Sequence, residues 1–391
     1  MASMSWGIGF YGMSVLLVEI HATRGWPIPL VSAAITTHYL VGAALISRLD
    51  DAHGRFGVAR VTAAGLCLTA AGLLCWAHAL HPWQLFGAAL VSGAGWSATS
   101  SAAVNAMLAP WFARRRPVAL SMALNGASLG GIVVAPAAVL LNNSVGFEAT
   151  AIGAAVLLIG VLAPLARWQL ALTPAMMGQT IDNDPPTVGA PAPAPPGAPL
   201  PRREIWRDPL FRRVMMSFGI AMFAQVGLLS HLLAYLADHM AEAQAAVLLG
   251  LTSLSAVIGR SVLGALAQRI ERRTAAASSI SVQLVGLLVL QTLDGPVALG
   301  IGCLLFGFGV GTMITMPTII LQTRFGSGAS LGRAVGLVVA VHQGLFSFAP
   351  ATFGLLRGWL GDYRLVLILA TALMAFAAWL LLPGRADRVR H

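Results

Sequence analysis

The chain contains no lysine. Its 24 basic residues are all arginine, set against 14 acids, and charged residues fill only 10% of its 391 positions. A soluble domain carries roughly 25% charged residues, so most of this surface cannot face water. Cysteine is scarce as well. Cys67, Cys75 and Cys303 lie inside apolar runs, with no CxxC and no His/Cys cluster. That argues against a disulfide framework or a metal site, and free buried thiols are expected. A P-loop, a nucleophile motif and metal-ligand spacing are also missing, so neither an enzyme nor a bound cofactor is expected. The arginines do not gather on a soluble region, which argues against nucleic acid. Alternation with a period of two is lacking, which excludes a β-barrel.

What remains is apolar sequence. Hydrophobic residues make up 57% of the chain, in repeated runs of about 20 residues, the length a helix needs to cross a bilayer. The runs fall near 2–22, 28–47, 58–80, 83–110, 117–141 and 148–167, then near 210–236, 243–267, 275–293, 297–321, 334–356 and 364–383. They predict an all-α membrane protein of twelve transmembrane helices in two six-helix bundles. The N-terminal bundle covers 1–167, a cytoplasmic linker 168–209, and the C-terminal bundle with a short basic tail 210–391. Within the linker, PPTVGAPAPAPPGAPLPRRE (185–204) reads as extended chain. The opening MASMSWGIGFYGMSVLLVEI has no basic n-region and no small-residue cleavage site, so it reads as the first span and not as a signal peptide.

The arginines orient the spans. One set of alternate loops holds Arg48, Arg55 and Arg60, then Arg114, Arg115 and Arg116, then Arg202, Arg203, Arg207, Arg212 and Arg213. Arg269, Arg272, Arg273, Arg324, Arg333, Arg385, Arg388 and Arg390 continue on that side, while the opposite loops hold only Arg24, Arg357 and Arg364. The positive-inside rule then places both termini and the linker in the cytoplasm. The bias to Ala, Gly, Pro and Arg without Lys is that of a GC-rich bacterial genome, and the inner (cell) membrane is the expected location.

A repeat links the halves. SRLDDAHGRF (47–56) follows the second run and GALAQRIERR (264–273) the eighth, at an offset of 217 residues. Both resemble the loop signature of the major facilitator superfamily, G-x-L-A-D-R-x-G-R-R. The first copy keeps Leu49, Asp51, Gly54 and Arg55; the second keeps Gly264, Leu266, Ala267, Arg269, Arg272 and Arg273. Ser47, Ala52 and Gln268 depart from the pattern. Asp51 with a nearby arginine can form a charge latch for one state of an alternating cycle, and Asp51, Arg55 and Arg269 are the gating-loop candidates. An ordinary basic loop is the alternative.

Further segments resemble the monocarboxylate transporter family and its bacterial homologues within that superfamily. They are WFARRRPVALSMALNGASLGG (111–131), GRSVLGALAQR (259–269), RFGSGASLGRAVGLVVAV (324–341) with Pro350, Gly354 and GDYR (361–364), and the tryptophan of RGWPIPLVSA (24–33). The resemblance implies proton-linked movement of small monocarboxylates, or exchange of related organic anions. It also implies that the eighth-helix arginine, here Arg260, pairs with the substrate carboxylate. The first-helix lysine of many members falls near Met13, and the acid one turn before the arginine falls on Ala256.

Polar residues within the runs complete the candidate site. Arg260 lies roughly 10 Å from the cytoplasmic end of its run, at 1.5 Å per residue. It can snorkel to the surface or hold an anion bidentately. His38, His231 and His342 are satisfied core histidines or functional ones, with His231 best placed because Tyr235 follows one turn later. His231 and Glu19 are the candidates to carry a proton, Glu19 being otherwise an interfacial acid. Asn125, Tyr11 and Gln343 can contact substrate or simply link helices. Gly126/Gly130 and Gly307/Gly311 have GxxxG spacing and suggest close packing. Trp6, Trp26, Trp83, Trp111 and Trp359 fall near span ends, as an interfacial belt does.

The reading is a secondary active transporter of small organic anions, monocarboxylates in particular, working by alternating access and coupled to protons. Its expected partners are the anion, protons and the lipid bilayer, with the protein a monomer. An organic-anion exchanger and a drug or amphipath exporter are rivals of the same fold. A non-transporting membrane sensor or assembly partner is the rival of another class.

Overall fold

The computed structural model describes residues 1–113, 115–183, 200–266, 269–326 and 329–382. Among these, helices are the only regular elements. The chain divides into two compact units, Met1–Ala190 and Pro191–His391. In the first, Ala2–Arg24, Ile28–Ile46, Val58–Ala77, Val118–Val145 and Phe147–Gln169 are long and apolar enough to cross a membrane. In the second the same holds for Pro209–Ala237, Glu242–Leu263, Arg272–Thr292, Ser330–Leu360 and Arg364–Leu381. The two remaining spans, the fourth and the tenth, are each broken. They occupy the same place in their respective units.

The fourth span runs Pro82–Ser97, stops, and resumes at Ser101–Leu108. The tenth runs Pro296–Val310 and resumes at Met316–Phe325. Continuous helices over 83–110 and 297–321 were the expectation, so both breaks are corrections. Their cause is local. Ser97 Oγ donates to Ala94 O at 2.7 Å, Thr99 Oγ1 to Gly95 O at 3.2 Å and Ser100 Oγ to Ser97 O at 2.9 Å. Such side-chain bonds offer the backbone an alternative to the helical ladder. In the tenth span Thr312 Oγ1 donates to Gly309 O at 3.0 Å, and Pro317 restarts the helix where a missing N–H does no harm.

Among the described residues three spans contain a π-turn: Gly7–Tyr11, Gly130–Val134 and Leu158–Leu162. The latter two come just before Pro136 and Pro164, which cannot donate to the preceding turn. The first lies in a glycine-rich stretch and packs against the second. A Cβ on Gly7 would meet Val134 Cβ at 2.5 Å, and one on Gly130 would meet Gly7 N at 2.5 Å.

The linker is more structured at its edges than its composition suggests. Arg202–Arg207 is a helix, opening at Pro201 with Glu204 in its first turn, so the expected extended stretch ends before 204. Asp182 is buried, donates its N–H to Trp111 O at 2.9 Å and accepts from Ala113 N at 3.2 Å and Arg115 N at 3.1 Å. Its φ of 62° is held by these bonds. Residues 184–199, with Arg114, Ala267, Gln268, Arg385, Arg388 and Arg390, lie outside the described residues.

Candidate functional site

Arg260 sits where spans eight and ten cross at backbone contact. A Cβ on Gly259 would overlap Phe308 O, one on Gly307 would overlap Thr252 O, and one on Gly311 would overlap Ala256 O. The Gly307/Gly311 pair thus serves close packing. The crossing also accounts for a small residue at 256: Ala256 is 1% exposed and its carbonyl lies against Gly311. One turn on, Arg260 Nε donates to Gly311 O at 2.8 Å. Gly311 caps the first half of the broken tenth span. Such an end presents carbonyls without intrahelical donors and a partial negative charge. The guanidinium is therefore anchored to a helix end and half-buried.

His231 and Tyr235 form a separate group. His231 is fully buried; a carbonyl only accepts, so Nε2 donates to Pro350 O at 3.0 Å and Nδ1 accepts from Tyr363 Oη at 3.2 Å. Tyr235 Oη donates to Leu290 O at 2.6 Å, and its ring meets that of Tyr363 edge-on at 5.8 Å. These bonds brace spans seven, nine, eleven and twelve. His231 lies six residues from the end of Pro209–Ala237, and Arg260 eighteen residues into Glu242–Leu266. Along the helix axes they are roughly 18 Å apart. The structure does not bring the histidine and tyrosine to the arginine. His342 Nε2 donates to Met215 O at 3.1 Å, tying span eleven to span seven. Beside it, Gln343 Nε2 is buried with no hydrogen-bond partner among the described residues.

The N-terminal unit contributes an aromatic cluster that the sequence reading missed. Trp6, expected in the interfacial belt, is 8% exposed and packs edge-on against Trp96 at 5.1 Å. Phe10 lies 5.4 Å from Trp6 and 6.2 Å from Trp96. Tyr11 is buried and meets Phe10 edge-on at 5.2 Å. The cluster wraps the π-turn of span one, a feature often found at functional sites. Trp6 Nε1, Trp96 Nε1 and Ser5 Oγ are buried without partners among the described residues. Close by, His38 is a satisfied core histidine: it accepts from Ser92 Oγ at 2.8 Å and donates to Gly9 O at 3.2 Å. The signal available in the sequence was GIGFYG, whose glycines let Trp96 approach. A Cβ on Gly9 would meet Trp96 Cε3 at 2.7 Å.

Asn125 is half-buried on span five. Glu19 is not an exposed interfacial acid but 8% exposed, accepting from Asn142 Nδ2 at 2.7 Å. On the loop after span two, Asp51 opens the short helix Leu49–Phe56 and is exposed. Among the described residues it forms no ion pair, and Arg55 lies over the Phe56 ring at 5.1 Å. Arg269 is exposed, whereas Arg272 Nη1 donates to Ile319 O at 2.9 Å and Arg273 Nε to Leu381 O at 3.2 Å. His53, on the same short helix as Asp51, is held below the usual histidine range by burial, with Asp50 pulling the other way. Cys67 and Cys75 are exposed on span three, correcting the expectation of buried thiols, while Cys303 is buried. Among the described residues no group of His, Cys, Asp or Glu could hold a metal ion.

Apolar spans in two units are those of a helical membrane protein, and the relatives say of which kind. The family model of the Major Facilitator Superfamily matches residues 1–345, and the chain belongs to that superfamily of transporters. A curated relative, monocarboxylate transporter 13 of Bos taurus, is 26% identical over 376 residues, covering 95% of this chain and 82% of its own. A crystal structure of the nucleoside transporter NupG superposes with a TM-score of 0.72 at 12% identity, over 97% of this chain and 98% of the other. At that identity the likeness concerns the fold alone.

Proposed function

We propose that this transporter moves small monocarboxylates across the membrane by alternating access, linked to protons, with Arg260 as the counter-charge of the carboxylate. The observation that carries the reading is an arginine within span eight, six residues before its end at Leu266, half-buried and bonded through Nε to Gly311 O. A planar guanidinium that does not deprotonate suits a planar carboxylate. The whole-length similarity to a monocarboxylate transporter supports the same substrate class. Gln343 Nε2 and the indole N–H groups of Trp6 and Trp96 are further donors, each within its own unit, that an organic acid can use. His231 holds two bonds as the neutral ring, so on this reading Glu19 is the better proton carrier. The protein works as a monomer in a bacterial inner membrane with both termini cytoplasmic.

The test is uptake into proteoliposomes of a labelled carboxylate panel, with nucleosides alongside, with and without an imposed pH gradient. Saturable carboxylate uptake that rises with an inward proton gradient is expected. Nucleoside uptake without carboxylate uptake would overturn the substrate class, and gradient-independent uptake would overturn the coupling.

A further inference from the structure

The chain that leaves span six forms a loop, residues 170–182, pinned at both ends within the N-terminal unit. Leu170 packs against two buried clusters, one around Ala163 and Ala166 of span six and one around Leu49, Ala103 and Met107. At the other end Asp182 is buried and accepts from Ala113 N at 3.2 Å and Arg115 N at 3.1 Å, just before span five begins. The loop therefore joins the end of span six to the start of span five. Between its pins it is not slack. Met177 N donates to Pro174 O at 3.0 Å and Gln179 N to Pro174 O at 2.8 Å, closing a tight turn at Ala175–Met177.

This closed turn carries its apolar side chains outward: Met176, Met177 and Ile181 are 71%, 52% and 52% exposed. Single exposed apolar residues are ordinary, but a set of them marks an interaction surface. The flanking spans say which. On span six Leu157, Val161, Leu165 and Trp168 recur at helical spacing and are all exposed. Val118, Met122, Leu129 and Val133 do the same on span five. In a membrane-spanning unit such stripes face lipid. Both reach the ends that the loop joins: Trp168 stands two residues before Leu170, and Val118 three after Arg115. Arg167 and Arg115 are exposed there, and basic side chains at a membrane surface are attracted to anionic headgroups. An apolar segment with basic flanks lies in the interface with its apolar side roughly 5–10 Å deep.

We propose that residues 170–182 are a membrane-surface anchor. Met176, Met177 and Ile181 insert among the lipid headgroups at the face where span six ends, and Asp182 holds the loop in place. The partner is the bilayer and not a protein, because the apolar set continues two stripes that already face lipid. The anchor fixes the start of the central linker at the membrane surface. It is independent of the transported substrate.

The test uses the full-length protein in lipid nanodiscs, with the exposed Cys67 and Cys75 removed as Cys67→Ala and Cys75→Ala. A fluorescent label is attached at Met176→Cys, Met177→Cys or Ile181→Cys. Met122→Cys, on the exposed stripe of span five, gives the value for hydrocarbon, and Arg203→Cys, exposed on the helix Arg202–Arg207, the value for water. Quenching is read with nitroxide-bearing phosphatidylcholine and with aqueous iodide. The three loop labels should be quenched by the nitroxide lipid at least threefold more than the label at Arg203, and by iodide at least threefold less. Asp182→Ala should bring them at least halfway to the Arg203 values. Labels that quench as at Arg203 would place the turn in water, and labels shielded from both quenchers would place it against protein; either overturns the proposal. Unchanged quenching in Asp182→Ala would overturn the role of the pin. Thermal melting checks folding, and if Asp182→Ala does not fold, the three labels in the parent protein still decide the anchor.

Discussion

Replacing Arg260 separates two roles that one guanidinium is asked to fill. Its Nε–H bond to Gly311 O serves the end of a helix whose carbonyl has no helical donor. A bond from a charged donor contributes about 1.5–3 kcal/mol. Arg260→Met should therefore lower the stability of the C-terminal unit by about that amount, several degrees in melting temperature. Arg260→Lys keeps the charge but loses the flat fork. If the arginine also grips a carboxylate, losing one charge-assisted prong costs a further 1.5–3 kcal/mol or about 10- to 100-fold in apparent KM. The assay pairs thermal unfolding of purified protein, followed by tryptophan fluorescence, with concentration-dependent carboxylate uptake. Both variants should melt early, and both should show raised KM, Arg260→Met more than Arg260→Lys. A variant that melts early yet keeps the wild-type KM makes the arginine a helix-end donor only. Wild-type melting in Arg260→Met would refute the structural role.

The remaining expectations are simpler. Ala256→Glu should lower stability because the side chain enters a backbone crossing; overpacking alone costs about 1–3 kcal/mol, and an unchanged melting temperature with gain of uptake would refute this. Gln283 is fully buried with both amide atoms unpartnered among the described residues, its Cγ against Gly309. Gln283→Met should raise stability by about 1–3 kcal/mol, and a fall in melting temperature would show that the amide is satisfied. For His53, burial makes the folded state bind its proton less readily than the unfolded chain. Stability from this group is full above the unfolded value of 6.5 and declines as pH falls below it toward the lower folded value. His53→Gln should flatten that slope in melts between pH 8 and pH 5, and an unchanged slope would remove the histidine as its cause.

Apolar run length revealed most of the fold, because a bilayer imposes one length on every span. Span boundaries such as 28–47 and 364–383 differ by only a residue or two from Ile28–Ile46 and Arg364–Leu381. Glycine spacing revealed the crossing at Gly307 and Gly311. The breaks at 98–100 and 311–315 were hidden, because Ser, Thr and Gly there interrupt the helix without interrupting its apolar character. Partners far apart in the chain were hidden for a different reason. His231 meets Tyr363 across 132 residues and Glu19 meets Asn142 across 123, and helical periodicity reports faces, not neighbours. Trp6 illustrates the cost of arguing from position: five residues from the start of the chain, it is nonetheless core, because the π-turn after it draws Trp96 onto the helix.

The arginines change meaning once their bonds are seen. Charge counting makes them topology signals, yet several that enter the structure end on backbone carbonyls at helix termini. Arg24 Nη2 donates to Ala77 O, the last residue of span three; Arg260 Nε to Gly311 O; Arg273 Nε and Nη2 to Leu381 O and Leu382 O. Carbonyls at a helix end lack donors, and near hydrocarbon there is little water to replace them. A guanidinium supplies several N–H groups in a fixed fork and can bridge adjacent carbonyls, as Arg273 does, where an ammonium offers a point charge. Arg24, Arg260 and Arg273 are therefore helix-end donors first, whereas Arg272 bonds Ile319 O within a helix and Arg357 pairs with Asp238. If Arg260 also holds the anion as proposed, that duty and anion binding share one group, and the substrate bears on the broken end of span ten. Substrate binding and the geometry of that break should then change together, which is the coupling that alternating access requires.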